Sequence, residues 1–208
     1  MAQTQSSPQT YSHVVEQYYL KPDTSVVTLL VRHLNEASSD TLRRAVILHH
    51  APSYQGFYCA LATKEPTVKS QLTARLTQIS DLQLRRLIAR SYRAALDSLF
   101  QKTPVSPGFN DMSWGAYFAT GNAHYLDLLI RNCRYANERK NQNLFFTGTS
   151  AWWSLASVAQ QDEVVRAYLI SQRGHQKGID LILNTDPATL RQQITATYVE
   201  YQRKGRWK

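Results

Sequence analysis

Glycine, cysteine and long apolar runs are all scarce in this chain, and each scarcity excludes a class of chemistry. Only 8 of the 208 residues are Gly, and none falls in a GxSxG, GxGxxG or Walker A pattern. Neither a nucleophile elbow nor a phosphate-cradling loop is therefore expected, and Gly148-Thr149-Ser150 is too short to serve as one. The 2 cysteines, Cys59 and Cys133, lie in separate apolar helical patterns with no CxxC pair. Spacing alone leaves a disulfide open, but two buried free thiols in a reducing compartment is the simpler expectation. The adjacent pair His49-His50 has no HExxH or Cys/His company. Neighbouring helical positions point about 100° apart, so a helix-end or surface role is expected rather than a metal site. No cofactor and no metal are expected, and no catalytic residue stands out.

The longest strongly apolar stretch, residues 26–31, is interrupted by Thr28 and is far too short to span a bilayer. The opening residues are polar and lack a basic start followed by an apolar core. A cytoplasmic protein is expected, with export by a signal-less route left open.

Acid is the other deficit: 15 Asp and Glu face 24 Lys and Arg, a net charge of +9. Four of the cations, Arg203, Lys204, Arg206 and Lys208, crowd the last six residues, with Trp207 among them. Lys and Arg beside an aromatic can contact phosphates and stack on bases. Arg86, Arg90 and Arg93 recur at i, i+4 and i+7, a second basic stripe on one helix side. These seven residues are the candidate anion-binding set, although a solvated helix face is the plainer reading of the stripe.

What is abundant is aromatic residues and helical periodicity. Twelve Tyr and four Trp argue against a disordered chain. Residues 1–9, rich in Ser, Gln, Pro and Thr, read as a disordered lead-in. A first helix begins near Tyr11 and stops before Lys21-Pro22; Asp23 or Thr24 caps a second, with Val27, Leu30, Val31 and Leu34 on one face. Ser39-Asp40 caps a third, which the turn Ala51-Pro52-Ser53 closes. From Asp81 the apolar spacing runs through Leu84, Leu87, Ile88, Tyr92, Leu96 and Phe100, predicting one long amphipathic helix. The Pro/Gly-rich stretch 103–110 then reads as a joint within a single helical body over residues 10–202, followed by a basic tail over 203–208. Asp111 reads as the cap of the next helix, and Asn122 as the cap of the one carrying His124. Residues 144–147 could be extended, and Asp186-Pro187 starts a final helix.

Self-similarity is the most informative pattern. Residues 57–63 (FYCALAT) align with 114–120 (WGAYFAT), 57 positions apart, and a third copy places Trp153 opposite Trp114, 39 further on. Each copy reads as helix, tight turn, helix, with turns at Thr63, at Thr120-Gly121 and at Gln160-Gln161-Asp162. Such hairpins cannot bury both faces alone and must stack. The unequal spacings predict an all-α fold of stacked helical hairpins, as an irregular short solenoid or compact bundle.

The segment 111–121 (DMSWGAYFATG), followed by Tyr125-Leu126, resembles part of an uncharacterised group of bacterial all-helical proteins. Pro22-Asp23, Gly56-Phe57 and Trp153-Ser154-Leu155 are similar to its recurrent pieces, so the resemblance touches the chain from about residue 18 to 172. It implies a helical-repeat-like protein and brings no biochemical role. The leading expectation is a non-catalytic adaptor or scaffold that binds another protein, such as a bacterial effector or secretion-accessory protein. Tyr117, Tyr125, Trp152 and Trp153 are the candidate contact residues, with core packing the competing use of each. A binder of nucleic acid or another polyanion is the alternative, and an enzyme of unknown class the third.

Overall fold

Four aspartates start four of the helices. In the computed structural model, which describes residues 10–175 and 178–207, Asp40, Asp81, Asp162 and Asp186 each accept backbone N–H groups of the first turn at 2.8–3.1 Å. These carboxylates satisfy amides with no intrahelical partner and complement the helix dipole. Proline occupies the first turn after Glu65 and Asp186, where its missing N–H costs nothing. The described residues form thirteen α-helices and no strand, an all-α fold. The lead-in 1–9 and Lys208 lie outside the described residues.

Internal contacts divide the chain into two units, one of residues up to Thr103 with Asp111–Asn122, the other of Pro104–Asn110 with the residues from Ala123 onward. The first contains α1 (Tyr11–Gln17), α2 (Val26–Ser38), α3 (Thr41–His49), α4 (Ala51–Lys64), α5 (Pro66–Arg75), α6 (Leu82–Arg93), α7 (Leu96–Lys102) and most of α8 (Pro107–Thr120). Its centre is α4, in which every residue from Gly56 to Ala62 is buried. A helix apolar on all sides must be surrounded, and α3, α5, α6 and α7 all pack against it. Gly56 and Gly115 allow α8 in as well. A Cβ on Gly56 would stand 2.0 Å from the Met112 carbonyl oxygen, and one on Gly115 2.2 Å from that of Ser53. Backbone meets backbone at both points, and no side chain larger than hydrogen fits. At the end of α8, Gly121 takes φ +70°, the left-handed turn that any other residue would strain.

The second unit contains α9 (His124–Asn132), a 3₁₀ turn (Cys133–Asn137), α10 (Gln142–Ala159), α11 (Glu163–Ser171), α12 (Ile179–Asn184) and α13 (Pro187–Arg203). Here α10 is central, packed by α9, the 3₁₀ turn, α11, α12 and α13. Gly148 repeats the device: a Cβ there would lie 2.1 Å from the Ala136 amide nitrogen. The buried amide and hydroxyl side chains Asn110, Asn132, Thr147 and Thr149 are paired. Asn110 donates to the Thr147 carbonyl at 2.8 Å and to Ser150 Oγ at 2.9 Å, and accepts from Asn132 at 2.7 Å. Buried Thr147 and Thr149 donate to carbonyls one turn back.

Several sequence expectations need correction. Ala51-Pro52-Ser53 closes nothing; it is the first turn of α4, with His50 alone separating it from α3. The long helix from Asp81 breaks at Ala94-Ala95 into α6 and α7. No Pro or Gly marks the break; a tertiary contact does, because the freed Ala94 carbonyl accepts from the Cys59 thiol at 3.3 Å. Asp111 does not cap α8. The helix starts a turn earlier at Pro107, and Ser106 Oγ accepts the Phe109 N–H. Ala123, not Asn122, stands at the N-cap of α9. Residues 144–147 are helical within α10, begun by the Asn141 cap, and aromatic β-propensity yields to burial.

Gly56→Ala or Gly115→Ala is expected to destabilise the protein by about 2 kcal/mol or more, since overpacking against rigid backbone outweighs the gain in helix propensity. Exposed Gln71→Ala should stay within about 0.5 kcal/mol. Urea unfolding midpoints check this, and wild-type-like midpoints for both glycine variants would contradict it.

Candidate functional site

The groove of the first unit is assembled from α1, α2, α3 and α4, with Phe118 of α8 at its edge, and encloses about 690 Å³. Its aromatic wall begins with Tyr11, which stacks on His33 with ring centroids 4.6 Å apart and lies parallel to Tyr54 at 5.9 Å. The polar tips of these rings are paired among themselves. The Tyr11 and Tyr58 hydroxyls are 3.0 Å apart, and His33 Nε2 lies 3.1 Å from the Tyr54 hydroxyl. Burial pushes the Tyr11 and Tyr58 phenols well above their ordinary value, so both remain protonated donors rather than bases. Burial also lowers the His33 pKa, with the Arg43 charge acting in the same direction and Glu36 against it.

With those tips paired, the groove offers ring faces and aliphatic side chains. Leu42 and Val46, one turn apart on α3, border it at 74% and 50% exposure, while Ile47 of the same helix is buried. Helix α3 is therefore apolar on two faces, one packed and one open. Glu16, Glu36, Arg43 and His50 add charge or a titratable ring among the lining residues. This is a surface for apolar contact with a polar border.

None of the groove's main residues was singled out for binding by the sequence. The four candidate contact residues are distributed differently. Tyr117 (1% exposed) and Tyr125 (6%) are core residues, in the first and second units respectively, and are shielded from any partner. Tyr117 packs against Tyr19 and Trp114. Trp152 is half-buried and Trp153 is 37% exposed. His49 and His50 stand exposed at the α3–α4 junction with perpendicular rings. Burial raises the pKa of half-buried Asp111, and the nearby His50 and His49 oppose the rise. Among the described residues, no group of three or more His, Cys, Asp and Glu is placed to hold a metal. Both cysteines are free, and burial pushes their thiols up to about 11 at Cys59 and about 12 at Cys133.

Of the candidate anion-binding residues, Arg86, Arg90 and Arg93 are exposed along α6. The tail is not free over its described residues. Arg203 ends α13, and Trp207 is buried, 4.7 Å from the Phe145 ring and 4.5 Å from that of Tyr201. The aromatic that the sequence offered for base stacking is thus part of the core, whereas Lys204 and Arg206 are exposed beside Tyr201.

Two expectations follow. Trp207→Ala should cost about 3 kcal/mol by urea unfolding, as loss of a buried aromatic does; an unchanged midpoint would show a tail without structural weight. For His33, burial favours the neutral ring, so its NMR titration midpoint should fall below the ordinary value of 6.5. Stability should hold above that pH, decline as pH falls through it, and level off below the lowered folded value. A midpoint at or above 6.5 would contradict the buried pairing with Tyr54.

No known family matches the chain, and neither does any curated protein or any solved structure.

Proposed function

We propose that the chain is a non-catalytic helical adaptor or scaffold that binds another protein through the groove of its first unit. The observation that carries the reading is the open second face of α3, where Leu42 and Val46 stand exposed beside a floor of internally paired aromatic rings. Apolar side chains held at one-turn spacing next to a concave aromatic wall suit an amphipathic helix, whose own residues at i, i+3 and i+4 would fill the groove. The sequence-level reading of stacked hairpins, and of a cytoplasmic bacterial protein of the effector or secretion-accessory kind, belongs to the same proposal. No helix among the described residues is long and apolar enough to cross a membrane.

The test is affinity capture from extracts of the native organism, with wild type beside the double variant Leu42→Asp/Val46→Asp. Both positions are exposed, so the fold should survive the change. The reading expects a reproducible protein partner whose recovery drops at least tenfold with the double variant and is unaffected by Arg86→Gln. Equal recovery with the double variant, or no reproducible partner, overturns it.

The polyanion reading keeps, beside exposed Lys204 and Arg206, the exposed row of Arg86, Arg90 and Arg93 as its main support. Were it the function, binding to DNA or RNA would weaken steeply with added salt and fall on neutralising those three residues.

A further inference from the structure

The second unit contains a cavity of about 520 Å³ between the end of α9, α10 and α12, and its chemistry differs from that of the groove. One wall is apolar: Ile130 and Ile182 are buried, Leu181 is 61% exposed, and the indole of Trp152 completes it. Arg131 and Arg134 line the same cavity, and among the described residues no Asp or Glu does. Neither arginine forms an ion pair among the described residues; Arg134 donates to the Tyr135 hydroxyl and lies over that ring, which steadies its guanidinium. Cys133 adds no negative charge, because burial keeps its thiol protonated. The indole N–H of Trp152 is buried and has no acceptor among the described residues. Such a donor is costly unless an acceptor reaches it.

We propose that this cavity binds an amphipathic anion, a small molecule with one carboxylate head and an apolar body. The head is held by Arg131 and Arg134, and the body lies on Trp152, Leu181 and Ile182. The volume falls in the range of small-molecule pockets, roughly 300–1,000 Å³. Planar guanidinium groups match a carboxylate in geometry as well as charge. The apolar wall is the reason to expect more than a bare anion. Inorganic phosphate would satisfy the arginines and leave Leu181 and the indole exposed to water.

Decanoate, kept below its micelle-forming concentration, is the probe, with decanol and inorganic phosphate as its neutral and purely anionic counterparts. Binding is read by calorimetry and by tryptophan fluorescence on the full chain. The proposal expects saturable decanoate binding, at least tenfold tighter than that of either counterpart. The double variant Arg131→Gln/Arg134→Gln should reduce decanoate to the level of decanol, and Trp152→Phe should remove the fluorescence change. Both arginines are exposed, so this double variant should fold; circular dichroism and the urea midpoint confirm that it does. Decanol binding as tightly as decanoate, phosphate binding more tightly, or an arginine variant that binds like wild type would each overturn it. So would absence of saturable binding, or a fluorescence change that survives Trp152→Phe. Leu42→Asp/Val46→Asp leaves this binding unchanged, which separates its outcome from that of the groove.

Discussion

The structure depends on helices brought close enough for backbone to touch backbone. Gly56 of α4 lies against the Met112 carbonyl, Gly115 of α8 against that of Ser53, and Gly148 of α10 against the Ala136 amide. Each contact sits on a central helix or directly against one, and each tolerates only hydrogen in place of a side chain. Close approach of this kind lets a short helix bury nearly its whole circumference, as α4 does from Gly56 to Ala62. In the first unit, the same arrangement places Tyr54 and Phe57 of α4 in the groove with Tyr11 and His33.

The groove is built by pairing polar groups with one another. The Tyr11 and Tyr58 hydroxyls meet, and the Tyr54 hydroxyl meets His33. An unpaired buried hydroxyl would cost on the order of 1–3 kcal/mol, whereas a paired one lets the ring face act as plain apolar surface. The open apolar surface is led by Leu42 and Val46, with Glu16, Glu36, Arg43 and His50 among the other lining residues. The second unit uses the same economy in its core, where Asn110 bridges Asn132, Thr147 and Ser150. At its cavity, by contrast, no Asp or Glu stands beside Arg131 and Arg134 among the described lining residues.

Features governed by neighbours along the chain were legible in the sequence. Asp40, Asp81 and Asp186 start helices where side-chain chemistry says they should, Gly121 takes the turn, and helices end at Lys64, Thr120 and Ala159, at or within one residue of the junctions read from the sequence. The all-α class followed from these signals and the apolar period. Features set by distant partners were not legible. Nothing local at Ala94-Ala95 announces a break, because its cause includes a thiol 35 residues earlier. Pro52 has two opposite meanings, helix stop or helix start, and only the packing of α3 and α4 chooses between them. The groove was hidden for the same reason: it joins residues 11 to 57 with Phe118, and no motif spans that interval. One signal was available, since Leu42 and Val46 stand outside the face of α3 that Ile47 buries. Aromatic abundance misdirected attention to Tyr117 and Tyr125, because a ring's presence says nothing about which side of a helix faces water.

Amide hydrogen exchange tests the central claim most directly. If the glycine contacts are the constraint on which the first unit rests, the amides of residues 56–62 and 112–119 exchange only through global unfolding, slower than those of exposed α5. Their protection should track the unfolding free energy as urea is added. Rapid exchange through either segment, insensitive to urea, would show helices that open independently and a unit held together by something other than these contacts.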